Sequence, residues 1–380
     1  MTRIRRLLLG ALALTLVFLG VVLVQAWPAF GARAEGVRRA RMEQSPQWHD
    51  GSFVNPEPII NHVGTMLDGM LHVSEHASPT SLQAAPLEPA ALRSPPASGV
   101  RITWFGHSTT LIELDGQRVL TDPSWSERSS PIAWLGPRHW FRPPIALAEL
   151  PPIDAVVISH DHYDHLDHGT LVAMKDWPTK FVVPLGIGAY LEGWGIAADK
   201  IIELDWWERA EVGALTIVCT PARHASGRTP FDRDQTLWAS YALLGSAHRV
   251  YFSGDTGMFN ALREIGRKLG PFDVTMIEVG QYHGGWPDWH IGPEQAMSAH
   301  QQLRGKAFFP IHWGGLQLAY HGWTEPVERV RAAAGSTPVV IPRPGQPVEP
   351  LTSPALAPWW PKLPFESAQD APIVSSGLRP

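Results

Sequence analysis

A single cysteine, Cys219, stands in the 380 residues, so no disulfide can close within the chain. It lies in an apolar stretch five residues before His224 and reads as a small packing residue rather than a metal ligand. Charge is also sparse: Asp, Glu, Lys and Arg make up 18% of the chain, and the net charge is −5. No Lys/Arg run interrupts the globular part, which speaks against a surface that tracks nucleic-acid phosphates; no nucleic-acid partner is expected. A Gly-x-Ser-x-Gly elbow is missing, so serine-nucleophile hydrolysis on an α/β-hydrolase scaffold has no foothold. No internal repeat is visible. What remains is ample core material, with 44% apolar residues, and a length that would admit two or three average domains.

The most informative stretch is His160, Asp161, His162, Tyr163, Asp164 and His165, directly after the apolar run 155–158. Three imidazoles and a carboxylate at one strand end, with Asp161 to spare, form a donor set suited to zinc. On extended backbone, residues two apart point to one side, so His160 and His162 can grip one ion together. After the turn, Asp164 and His165 face back and can hold a second. Two ions roughly 3.5–4 Å apart would share one water and lower its pKa. Four residues cannot complete two such shells, so more ligands must follow. Three candidates do, each at the end of a short β run: His224 after 215–219, Asp255 in Gly254-Asp255-Thr256-Gly257, and His312 after 307–311.

The order HxHxDH, His, Asp between glycines, His resembles the metallo-β-lactamase superfamily, over residues 100–345. That resemblance implies an αββα sandwich of the α/β class with two zinc ions at one edge. It implies that His160, His162 and His224 bind the first ion, Asp164, His165 and His312 the second, and Asp255 both. Asp122, in Val-Leu-Thr-Asp-Pro, matches the family's first motif; its physical job would be to accept a ring N–H and fix a ligand tautomer. No Cys occupies a motif position, which counts against the drug-hydrolysing lactamases. The segments Trp104-Phe-Gly-His107, Leu237-Trp-Ala-Ser-Tyr, Trp289-His290-Ile-Gly-Pro and Ile311-His-Trp-Gly-Gly further resemble the branch holding N-acylphosphatidylethanolamine-hydrolysing phospholipase D and its bacterial relatives.

From the resemblance, the chain is expected to be a binuclear zinc phosphodiesterase that cleaves such membrane phospholipids through a metal-bridging hydroxide. Asp164, Asp255 and His290 would be its catalytic residues. His290 would contact substrate or serve as an acid/base group, against a structural role capping the next helix. A homodimer is implied in the same way. The alternative chemistry is a lactonase or carboxylic ester hydrolase on the same fold, with the hydroxide attacking a carbonyl. A non-catalytic binding protein is disfavoured by the full ligand set, and a redox di-iron site lacks a flavin-binding extension.

At the N-terminus, Arg3, Arg5 and Arg6 precede an uncharged run over 7–27, long enough to cross a bilayer. A signal peptide usually has a shorter apolar region, although Ala32-Arg33-Ala34 resembles a cleavage site. Residues 1–28 are therefore expected to form a retained transmembrane anchor, with the enzyme outside the cytoplasmic membrane. Residues 29–99 should be an arm and a proline-rich linker, 100–345 the catalytic domain, and 346–380 a proline-rich tail stapled down by Trp359 and Trp360. Strands are expected at 101–105, 109–114, 118–121, 155–159, 181–184, 215–219, 238–244, 249–253, 273–279 and 307–311. Helices are expected at 169–176, 258–268, 293–303 and 325–334. Seventeen tryptophans point either to packing or to a rim that meets lipid headgroups. The loop 123–144 carries Trp125, Trp134 and Trp140, with Arg138, His139 and Arg142 placed to meet a phosphate.

Overall fold

The computed structural model describes residues 3–352 and 356–376. Part of the expected tail (353–355 and 377–380) and the side chain of Arg6 lie outside the described residues. The chain opens with α1 (Arg3–Phe30), α2 (Gly36–Glu43), a hairpin of β1 (Trp48–His49) and β2 (Ser52–Phe53), and α3 (Val63–Leu71). The first large sheet then begins with β3 (Val100–Gly106), β4 (Thr109–Leu114), β5 (Gln117–Thr121) and β6 (Ala155–Val157). It continues through α4 (His168–Met174), β7 (Lys180–Pro184), α5 (Gly188–Gly193) and β8 (Ile201–Leu204). The second comprises β9 (Arg209–Val212), β10 (Leu215–Thr220), β11 (Ser240–Leu244), β12 (Arg249–Phe252), β13 (Phe272–Glu278) and β14 (Gly305–Ile311). Helices α6 (Ala261–Leu269), α7 (Pro293–Gln302) and α8 (Glu325–Ala333) intervene or follow, and β15 (Pro347–Val348) returns to the first sheet.

Strand order is β15-β3-β4-β5-β6-β7-β8 in one sheet and β14-β13-β12-β11-β10-β9 in the other. Period-two alternation explains the layering. Val119, Ala155, Val157 and Val182 share the central core with Ile217, Tyr241 and Phe252 of the second sheet. Their neighbours Leu120, Val156, Phe181 and Val183 point the other way, into a cluster with Leu171 of α4 and Leu191 of α5. The second sheet is covered outside by Leu262 and Ile265 of α6, Ala296 and Met297 of α7, and Val327 and Val330 of α8. This is the expected mixed α/β sandwich, helices outside two sheets. Cys219 is fully buried between the layers, and its thiol faces the Leu204 carbonyl at 3.8 Å.

Strand direction places the chemistry. β5, β6 and β7 run parallel; in the second sheet β12, β13 and β14 run parallel, and β10 shares their direction through its antiparallel partner β11. The C-terminal ends of these strands therefore gather at one edge, where His224, Asp255, Glu278 and His312 emerge. Five strands were not expected from sequence: β8 and β9, the short β1 and β2 of the arm, and β15. Glu203, Arg209 and Glu211 break any apolar pattern in the first two. The two-residue β15 pairs Val348 with Ile102 inside the expected proline-rich tail. The expected linker 77–99 is extended yet not free, since Leu87 and Leu92 are buried under the first sheet.

Candidate metal centre

Each donor is set by the backbone that leads to it. His160 Nε2 lies 2.8 Å from His162 Nδ1, and His224 Nε2 lies 3.3 Å from the same nitrogen. A tetrahedral ion with metal–nitrogen bonds of 2.0–2.1 Å needs its nitrogens about 3.3 Å apart, which these three approach. A second group holds His165, Asp164, His312 and His107, with ligand atoms within 4.8 Å of one another. Asp255 joins the two groups. Its Oδ2 stands 3.0 Å from His312 Nε2, 3.2 Å from His165 Nε2, 3.8 Å from His224 Nε2 and 3.9 Å from His160 Nε2. Asp255 can project here because Gly254 adopts φ +55, and a Cβ on that glycine would meet Ser159 Cβ at 2.4 Å.

The far nitrogens of the rings are held in turn, which fixes their tautomers. His165 Nδ1 pairs with Asp122 Oδ2 at 2.7 Å, and Asp122 also accepts from the Ser159 amide and hydroxyl at 2.7 Å each. His160 Nδ1 meets the Ser159 hydroxyl at 3.0 Å, and His224 Nδ1 the Trp289 carbonyl at 2.9 Å. His312 is the exception: its Nδ1 lies 3.2 Å from Glu278 Oε2 without a hydrogen bond to it. Asp122, His107 and His312 all sit at positive φ, +36, +51 and +61, a costly conformation for L residues that recurs at functional sites.

Burial pushes His160, His162 and His224 below the usual histidine range, toward the neutral form that can donate a lone pair. Burial, with His312 beside it, pushes His107 down to about 3. His312 goes the other way: burial lowers it, but the neighbouring carboxylates of Asp255, Asp164 and Glu278 raise it to about 10. His165 is likewise raised by Asp255, Asp164 and Asp122 against burial. Asp164 and Asp255 are held well below the carboxylate range, burial being outweighed by His165 and its neighbours. The carboxylates of Asp164 and Asp255 thus favour positive charge at the rings nearest to them, the surroundings that suit a bound cation. His165 Nε2, His312 Nε2 and Asp255 Oδ1 are buried without a hydrogen-bond partner and face this same volume. Neutral imidazoles, ionised carboxylates and orphaned donor atoms fit a divalent metal.

All seven ligands expected from the sequence meet here, whereas Arg138, His139 and Arg142 line a separate hollow with Trp125 and Trp140. His290 is adjacent rather than central: its Nδ1 bonds Glu278 Oε2 at 2.8 Å, and its ring stacks on His312 at 5.1 Å. The spare Asp161 turns away, accepting from Tyr190, Thr236 and the Gly227 amide to pin the ligand loop. Three residues escaped the sequence reading of the site. Glu278, fully buried at the end of β13, orients His290 and lies beside His312. His107 bonds Asp164 Oδ2 through Nε2 at 2.8 Å, and its ring lies tilted 4.0 Å from that of His312. Asn55, from the arm, brackets the His224 backbone with its amide, at 2.6 Å to the carbonyl and 3.2 Å to the N–H. The strand-end position marks Glu278 in retrospect; nothing local marks Asn55.

A model of the beta-lactamase superfamily domain matches residues 117–313. An uncharacterized protein of Mycobacterium tuberculosis is 46% identical over 87% of this chain and 91% of its own length. N-acyl-phosphatidylethanolamine-hydrolyzing phospholipase D 1 of Caenorhabditis elegans is 39% identical over 57% of this chain and 64% of its own. Among solved structures, a metallo hydrolase from the archaeon Ignicoccus hospitalis superposes with a TM-score of 0.51 at 26% identity, covering 66% of this chain and 97% of that one. Family match, sandwich and donor-lined edge agree: the chain belongs to the metallo-β-lactamase superfamily, as a metal-dependent hydrolase on the side of the phospholipase D-like relatives.

Proposed function

We propose that the chain is a phosphodiesterase of the phospholipase D type that cleaves N-acylphosphatidylethanolamine-like membrane lipids with two zinc ions as cofactors. One juxtaposition carries this reading. An apolar slot of about 400 Å³, walled by Val63, Met66, Trp286, Trp289 and Leu318, opens at His290 against the His/Asp cluster. A diacyl phosphodiester presents apolar chains beside a charged phosphate, the same pairing in mirror form. The worm relative, named for hydrolysing such a lipid, supports the choice. We take α1 as the retained anchor that keeps the domain at the outer face of the cytoplasmic membrane.

In this reading His160, His162 and His224 hold one ion, Asp164, His165 and His312 the other, and Asp255 both. When bound, such a pair supplies a water that ionises near neutral pH and neutralises charge building on the phosphate oxygens. The remaining work falls to side chains. Asp122, Ser159 and the Trp289 carbonyl hold His165, His160 and His224 in the tautomers that aim their other nitrogens inward. Glu278 Oε2 accepts the Nδ1–H of His290, leaving His290 Nε2 to meet the leaving oxygen and hand it a proton.

The test is a mass-spectrometric product assay on zinc-replete, detergent-solubilised protein given mixed phospholipids and a lactone panel, with Asp255→Asn as the blank. Release of phosphatidic acid and an N-acylethanolamine, absent in the blank, is expected. Lactone opening with untouched phospholipids would sink the phosphodiesterase reading and move the chemistry to carbonyl attack.

A further inference from the structure

The loop after Asp122 leaves the body of the domain as a finger. An antiparallel bridge between Arg128 and Arg138 closes its base, and Ser129 N–H donates to the Pro137 carbonyl at 3.0 Å. Between them residues 129–137 carry no charge, and the tip reads Pro131, Ile132, Ala133, Trp134, Leu135. The tip is not folded onto the protein: Trp134 is 50% and Leu135 54% exposed. Its contact is with α1. The Trp134 ring lies 6.2 Å from that of Phe18, and its indole N–H donates to Gln25 Oε1 at 3.1 Å. Phe18 precedes Trp27, where the uncharged run ends, by nine residues, about 13 Å of helix. The finger therefore stands beside the apolar run and not beyond its end.

The helix itself is fixed to the domain. Ala26 and Ala29 are buried, and Trp194 Nε1 donates to the Pro28 carbonyl at 2.7 Å. Buried Arg228 donates from Nε to the Ala29 carbonyl at 2.7 Å, and from Nη1 to the carbonyls of Asp161 and Leu166 on the ligand loop. Gly31, at φ +77, lies so close to Tyr190 that a Cβ would meet the ring at 2.1 Å. Helix and finger are two prongs of fixed relative position. A groove of about 570 Å³ between them is lined by Tyr163 of the ligand loop.

We propose that residues 129–137 insert into the membrane leaflet beside α1, as a second attachment that fixes which face of the sandwich meets lipid. The proposal rests on the reading of α1 as a retained anchor. A lone helix would leave the domain free to swivel; two prongs do not. Peptide groups without partners cannot enter hydrocarbon cheaply, so the tip stops at the headgroup–acyl boundary, where indoles are favoured. Arg128 and exposed Arg142 near the base then lie level with the lipid phosphates, which they complement in charge, while Arg138 is paired with Glu127 at 2.8 Å.

The experiment uses the full chain reconstituted into phosphatidylethanolamine/phosphatidylglycerol vesicles containing nitroxide-labelled lipid. A fluorophore is attached at Ala133→Cys, at Leu12→Cys in α1, or at Lys306→Cys as a site remote from lipid; native Cys219 is fully buried and stays unlabelled. The labels at 133 and 12 are expected to be quenched at least twofold more than the label at 306. Adding Trp134→Asp and Leu135→Asp should return the label at 133, but not that at 12, to the control level. Quenching at 12 with none at 133 overturns the finger and leaves the anchor standing. Quenching at neither overturns the anchor and the finger with it.

Discussion

His165 has one ring nitrogen tied to Asp122 Oδ2 at 2.7 Å and the other free toward Asp255. A carboxylate at that position can only accept, so Nδ1 carries a proton, and Nε2 is the nitrogen whose lone pair would bind metal once its own proton is released. Asp122→Asn replaces one acceptor oxygen with a donor and admits the wrong tautomer. Zinc affinity should fall 10–100-fold, read by competition with a chromophoric chelator while circular dichroism stays unchanged. Unaltered affinity would show that His165 is oriented by something else. Glu278 does for His290 what Asp122 does for His165, but with a different consequence. His290 remains partly exposed beside the slot. His290→Gln should therefore lower turnover by roughly 10²–10⁴ with zinc content unchanged in elemental analysis. A drop in bound zinc would make His290 a ligand instead of a proton donor.

Between elements, the two sheets are clasped at the edge away from the site. Asp115, in the β4–β5 turn, accepts from His248 Nδ1 at 2.7 Å and from the amides of Ala247 and His248 at 2.7 and 2.9 Å, in the β11–β12 turn. Burial pushes the Asp115 carboxyl up, but these bonds outweigh it and leave it below its ordinary value. Its folded pKa is thus depressed, so the clasp stabilises above the unfolded value near 3.9 and is lost as pH falls through the folded one. Asp115→Ala should cost about 1 kcal/mol at pH 7, by urea denaturation of metal-free protein, and the gap to wild type should close in more acidic buffer. A gap unchanged at low pH would mean that packing, not the ionised carboxylate, joins the turns. The same scale shows what sequence can carry. Strands such as β6, β10 and β14 were legible because an apolar run stops at a histidine-bearing turn, a pattern complete within ten residues. β8 and β9 were not, since their alternating charges are tolerated only at the places the neighbouring strands give them. The ligand loop was legible for the same local reason. Glu278, His107 and Asn55 were not assigned to the site because their partners, His290, Asp164 and His224, are brought close only by folding.

At the scale of the molecule, segments far apart in sequence all brace the one edge. The arm reaches His224 through Asn55. Next to His224, buried Arg223 donates to the carbonyls of Pro58, Met258 and Ser376, tying arm, body and tail together. From the tail, Trp359 packs 5.6 Å from Trp313, which follows His312 and stacks 5.2 Å from Trp104. Such bracing crowds imidazoles and carboxylates together at the edge, where Asp164 and Asp255 push His165 and His312 above the usual histidine range. Metal should relieve that state and so stabilise the folded chain alone. At free zinc 100 times the Kd the gain is about 2.7 kcal/mol. For a domain of this size that corresponds to roughly 5–10 °C in Tm, measured by calorimetry with zinc against EDTA. Hydrogen exchange should place the added protection in 159–166, 223–226, 253–257 and 311–315, and leave the finger at 129–137 unchanged. A rise in Tm with protection spread evenly over both sheets would mean that zinc braces the whole sandwich. No rise would mean that arm and tail already hold the edge as firmly without the ion, and that the donors converge for a reason other than metal.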